Sequence, residues 1–245
     1  MKPYREGATK QGRNRIATMI VSLFLFALVA APAYAKNPQE HVGAQSVAYT
    51  DCLLSLALAD EEAAAKALVL ECGHKPDKPI DEFIKETLSS LPADPYAPVM
   101  EQIAPHRHLY SAEQLSYFEA IDRIVKEASS YEDALSRLTK LEDQAVSKLG
   151  RGESDLKVLG ALSAARSVFE YIMNHPADVS ARGFWRTLVK ALSVVAAVVV
   201  GVAVAGPVGG AIAGWAVLGA YSLAPMDRSA SSARWQDIER FGVTC

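Results

Sequence analysis

The side chains best able to do chemistry in this sequence are its three cysteines, Cys52, Cys72 and Cys245. In an oxidising compartment Cys52 and Cys72 are candidates for a bridge. One unbroken helix would hold them about 30 Å apart, whereas a disulfide needs Cα atoms within about 7 Å. A bridge therefore requires the chain to reverse between them. Asp60 supplies the break, since it can cap a new helix that begins Glu61-Glu62, and acids suit the positive end of the helix dipole. The spacing predicts a helical hairpin, roughly 44–58 and 61–72, stapled by Cys52–Cys72 and closed by Gly73. Two buried free thiols are the plainer alternative. A metal site at Cys72 and His74 lacks a paired C-x-x-C and a second ligand cluster. Cys245 is left over, either an inert thiol or a bridge to another chain. It does not stand at the prenylation position.

Other candidate chemistry is thin. His106-Arg107-His108 could ligate a metal or sense pH, but a polar loop after Pro105 explains it as well. Glu119, Asp122, Asp133, Glu142 and Asp143 are carboxylates on helices. Paired carboxylates can act as acid and base, yet no companion His or Cys is fixed by spacing, so a solvated helix face is expected. Arg166 and Glu170 sit one turn apart and can pair weakly. No serine has a G-x-S-x-G context, and no Lys-Ser/Thr follows the glycines at 206–210 as a phosphate loop requires. The expectation is a protein with no cofactor, no metal and no enzymatic activity.

The elements that must carry these residues are helical. Ile84, Leu88 and Leu91 recur at helical spacing after Pro76 and Pro79. Pro92, Pro95 and Pro98 make a stiff connector. Ser111 with Gln114 is a capping-box pattern, and Leu115, Phe118, Ile121, Ile124 and Val125 follow as an apolar stripe. Ser130 with Asp133 starts the next helix, striped by Leu135, Leu138, Leu141, Ala145 and Leu149. A third runs from about Ser154 to the stop at Asn174-His175-Pro176. Three amphipathic helices with short links predict a small antiparallel bundle over 40–178. No alternating stretch argues for a strand, so the fold class is all-α.

A formal net charge of -3 gives no electrostatic case for nucleic acid. The 50% hydrophobic content comes from two local segments. The first reads as an export signal. Lys2, Arg5, Lys10, Arg13 and Arg15 are basic, Ile16 to Ala31 is apolar, and Ala33-Tyr34-Ala35 is a small-x-small cleavage site. A signal peptide over 1–35 places the rest outside the cytoplasm.

The second segment is the apolar tract of 186–226. Ala191 to Met226 would be about 54 Å long as one helix, against about 30 Å of bilayer hydrocarbon. Gly206-Pro207-Val208-Gly209-Gly210 divides it. A membrane hairpin is the leading expectation. A single tilted span and a buried, non-membrane hairpin are the alternatives. Trp185 and Tyr221 sit where interfacial anchors would, with Lys190 snorkelling near one end. Basic residues on both flanks leave orientation open. A short tail over 227–245 is either amphipathic at a membrane surface or disordered.

Gly201, Gly206, Gly210, Gly214 and Gly219 recur at small-residue spacing. In this respect residues 201–219 resemble the glycine-zipper segments of bacterial envelope proteins and of some secreted bacteriocin-like peptides. A double-glycine leader is missing. The resemblance implies membrane insertion or helix self-association, within the hairpin or between subunits. Two roles follow. One is a membrane-anchored envelope protein of interaction or scaffold type, with a lipid bilayer and an unidentified protein as partners. The other is a membrane-active, bacteriocin-like or pore-forming protein, in which the helical domain keeps the tract soluble or delivers it.

Overall fold

The structure is a computed structural model and describes residues 36–175 and 181–223. The expected signal peptide of 1–35, the tail of 227–245 and Cys245 lie outside the described residues. Among those described, the chain is all-helical, with no strand.

Helix α1 spans Glu40–Leu54, α2 Glu61–Leu70, α3 Ile80–Ser90 and α4 Val99–Gln102. A 3-10 helix follows over Ala104–Leu109, then α5 (Ala112–Glu127), α6 (Tyr131–Lys148), α7 (Glu153–Asn174) and α8 (Ala181–Leu223). Helix α1 thus starts earlier and stops sooner than its expected 44–58. Ser55 closes it, with its hydroxyl donating to the Cys52 carbonyl at 2.7 Å.

Local chemistry sets most boundaries. Asp60 begins α2 by accepting a hydrogen bond from the Ala63 amide at 2.8 Å. Gly73 ends that region at φ +75°, a conformation that favours glycine. Both halves of the Ser111/Gln114 capping box are formed at the start of α5. The Ser130 hydroxyl accepts from the Asp133 amide at 3.1 Å to start α6. Helix α4 has no such cap of its own. Asp122, reaching from α5, accepts from the Val99 amide at 2.6 Å and from the Met100 amide at 3.0 Å.

Two expected surface carboxylates are buried instead. Asp122 is 8% exposed and Glu142 5%. A buried carboxylate persists only with partners, and both have them. Glu142 accepts from Arg166 Nε and from Asn37 Nδ2, each at 2.6 Å. Arg166 also lies 3.7 Å from Glu170, the expected one-turn pair. Asn37 donates in addition to the Leu159 carbonyl at 3.0 Å, which ties the start of the described chain to α6 and α7.

The core is one large apolar cluster that takes Val42 from α1, Phe118 and Ile121 from α5, Leu138 from α6, Leu162 and Phe169 from α7, and the valines of α8. A second cluster joins Leu53, Ala64, Leu68, Phe83 and Ile84 to Val208, Ala211 and Ile212. So α8 contributes to both.

Candidate functional site: the apolar helix and its sheath

Helix α8 does not run straight. Ala205 (φ -124°, ψ 17°) and Gly206 (φ 67°, ψ -163°) interrupt it. The sequence dictates where. Pro207 has no N–H, so the carbonyl of Ala203 loses its ordinary helical donor. Gly206 accepts the positive φ that a side chain would resist. The two arms, 181–204 and 207–223, then meet each other. A Cβ built on Gly201 would lie 2.4 Å from the Gly209 carbonyl oxygen, and one on Gly209 would lie 2.5 Å from that of Gly201. Gly210 faces Val202 and Val198, and Gly214 faces Val198 and Val194. Rising numbers on one arm oppose falling numbers on the other, so the arms are antiparallel.

Glycine is needed at Gly201, Gly209 and Gly210 because the arms touch there through backbone and Cβ-branched side chains. This close approach is made within one chain. Gly206 serves the reversal, not the packing, since an added Cβ would meet nothing within 4 Å. Gly219 lies on the second arm, but its surroundings are outside what is described, as are the side chains of Trp185 and Tyr221.

Tyr110 resolves the orphaned carbonyl. Its hydroxyl donates to the Ala203 oxygen at 2.6 Å. The ring is 7% exposed and packs edge-on against Phe118. Burial pushes the phenol up to about 12, so it stays a donor at any physiological pH. Tyr110 was not singled out by the sequence. Pro207 signals that an acceptor is left over, but nothing local says which donor fills it.

Lys190–Leu218 has a mean hydropathy of 2.4 and is long and apolar enough to cross a membrane, yet 78% of that window is buried within the fold. Val194, Val195, Val198 and Val199 are fully covered. Helices α1 and α7 sheathe the first arm. Gly43 brings α1 so close to α7 that a Cβ there would lie 2.6 Å from the Ser163 carbonyl oxygen. Helices α2 and α3 cover the second arm through Leu68, Phe83 and Ile84. Lys190, at the start of the window, is part-buried.

Cys52 and Cys72 form a disulfide with Cα atoms 5.9 Å apart. It joins the end of α1 to the residues just after α2. Beside it, the Tyr49 hydroxyl and His74 Nδ1 are 3.2 Å apart, and the His74 ring lies 5.0 Å from that of Phe83. Burial lowers the His74 pKa, and the charge of Asp77 opposes this by favouring the charged ring. His106 and His108 lie on the 3-10 helix, the first part-buried and the second exposed. Among the described residues, no three His, Cys, Asp or Glu side chains gather as a metal would require. The chain matches no protein-family model, no curated protein and no solved structure.

Proposed function

We propose that this is an exported, non-enzymatic helical protein that carries an apolar glycine-packed hairpin in sheathed, water-soluble form and commits it to a lipid bilayer. The observation that carries this reading is the pairing of a membrane-grade segment with its burial under helices drawn from elsewhere in the chain. A surface helix needs one apolar stripe, whereas a helix apolar all round must be enclosed by protein or by lipid. From Ala191 to Leu218 the arms of α8 are apolar on nearly every face. Helices α1, α2, α3 and α7 enclose the hairpin and keep it soluble, and the antiparallel α5 and α6 pack beside α7.

The anchored, scaffold-type role fits this geometry less well. A hairpin held permanently in lipid would strip cover from Leu53, Leu68 and Phe83, and from the inner face of α7. A partner protein would then have to replace it.

Vesicle flotation tests the proposal. The purified protein should be soluble without detergent, then float with phosphatidylcholine–phosphatidylglycerol vesicles and resist an alkaline wash. Leakage of an entrapped dye would add pore formation. Recovery of all the protein in the soluble fraction in the presence of vesicles, both as purified and after reduction with dithiothreitol, would refute the proposal. Protein found only in membranes, and soluble only in detergent, would favour the anchored role.

A further inference from the structure

The part of the sheath most easily released is the segment that carries α2 and α3. Its inner face closes over Val208, Ala211 and Ile212 on the second arm. Its outer face is polar, with Glu61, Glu62, Lys66 and Glu86 all exposed. Two irregular connectors flank it, 55–60 on one side and the proline-rich 91–98 on the other. Such connectors can absorb a rigid-body swing. Among the described residues, two links other than apolar packing hold the segment to α1. These are the Tyr49–His74 contact and the Cys52–Cys72 bond. Both cysteines are only part-buried, so a thiol can reach them.

We propose that Cys52–Cys72 is the catch of a lid. A dithiol reductant cleaves it by exchange. One dithiol sulfur attacks a cystine sulfur to form a mixed disulfide, and the second dithiol sulfur displaces it. Cys52 and Cys72 leave as thiols, taking the two electrons and two protons of the dithiol, which becomes the oxidised disulfide. The freed α2–α3 segment then swings from the second arm and uncovers its apolar face. That this exposure leads to a bilayer rests on the sheathed-hairpin reading. The opening itself does not.

The test is hydrogen–deuterium exchange on the whole protein carrying Cys245→Ser, with and without dithiothreitol, in the absence of lipid. On reduction, amides of 61–70, 80–90 and 207–215 should exchange faster by about tenfold or more, because the bond restricts the opened segment. Amides of α7, which lies against the first arm, should keep their protection. Reoxidation should restore the original pattern. A Cys52→Ser/Cys72→Ser protein should show the open pattern without reductant and ignore dithiothreitol. Unchanged exchange over 61–90 on reduction overturns the catch. So does an equal rise through 112–174, which marks general destabilisation. Flotation of the reduced protein with phosphatidylcholine–phosphatidylglycerol vesicles separates the two ideas. Opening without flotation keeps the catch and removes the membrane role.

Discussion

Replacing Gly201 by alanine should be the most damaging single methyl addition on the two-armed helix. The new Cβ would sit 2.4 Å from the Gly209 oxygen, 2.6 Å from its carbonyl carbon and 2.7 Å from the Gly210 nitrogen. Ordinary contact begins near 3.4 Å, so the arms must part by about 1 Å. All three obstructing atoms are backbone, and no rotamer change can move them. A gap of that size forfeits a quarter to a half of the dispersion energy along the seam. Overpacking typically costs about 1–3 kcal/mol, and a rigid obstruction belongs at the upper end. Alanine recovers about 0.5–1 kcal/mol of helix propensity. The net loss should be about 2 kcal/mol. Gly206→Ala is the control. It meets no atom within 4 Å, so its cost is purely conformational, about 1–3 kcal/mol for a side chain held at φ 67°, ψ -163°, a region that glycine alone adopts readily. Gly210→Ala should cost less than Gly201→Ala, because Val202 Cγ2 at 2.4 Å is a side-chain atom with some freedom to shift. Urea titration of the purified proteins reads this order. With a slope of about 2 kcal/mol per molar, Gly201→Ala should lower the midpoint by about 1 M at unchanged slope. A Gly201→Ala midpoint at or above that of the parent, or above that of Gly210→Ala, would refute the antiparallel register.

Three further outcomes follow from the buried polar groups. Tyr110→Phe leaves the Ala203 carbonyl without its donor and should cost about 1–3 kcal/mol in the same titration. Arg166→Met leaves Glu142, whose side chain is 7% exposed, as an uncompensated buried charge. The loss should be about 3 kcal/mol, and Glu142→Gln in the same protein should restore part of it. Burial holds Asp122 above the ordinary carboxylate range, partly offset by the Met100 and Val99 amides. The folded state therefore binds this proton more tightly than the unfolded state. The contribution is full below about pH 4 and is lost as pH rises through the raised value. Parent stability relative to Asp122→Asn should fall between pH 4 and pH 7, and a flat difference across that range would contradict the assignment.

What could be read from the chain was local. The Asp60 break, the Ser111 and Ser130 caps and the Cys52–Cys72 pairing each depend on residues a few turns apart at most. The reversal at Gly206-Pro207 is also written locally, since a proline and a glycine together leave few other conformations. The burial of Asp122 and Glu142 was not legible, because each carboxylate is defined by groups far along the chain. Asn37 reaches Glu142 across 105 positions. The apolar tract was legible as apolar, but hydropathy cannot say whether lipid or protein covers a surface. That depends on α1, α2, α3 and α7 folding over it, and each of these helices alone offers only a modest apolar face.

The order of the chain has a consequence in time. The segment that fills both apolar clusters is the last of the helices described, after all those that enclose it. At about 5–20 residues per second, the 43 residues of α8 take several seconds to synthesise once α7 is complete. During that interval the enclosing helices have nothing to close upon, and their inner faces must be held apart or shielded. A polypeptide built this way completes both apolar clusters only when its final stretch arrives. Ending synthesis anywhere before position 181 should leave α5, α6 and α7 with their mutual contacts, as at Tyr131 and Phe169, but with the inner faces of α1, α2, α3 and α7 uncovered and prone to proteolysis.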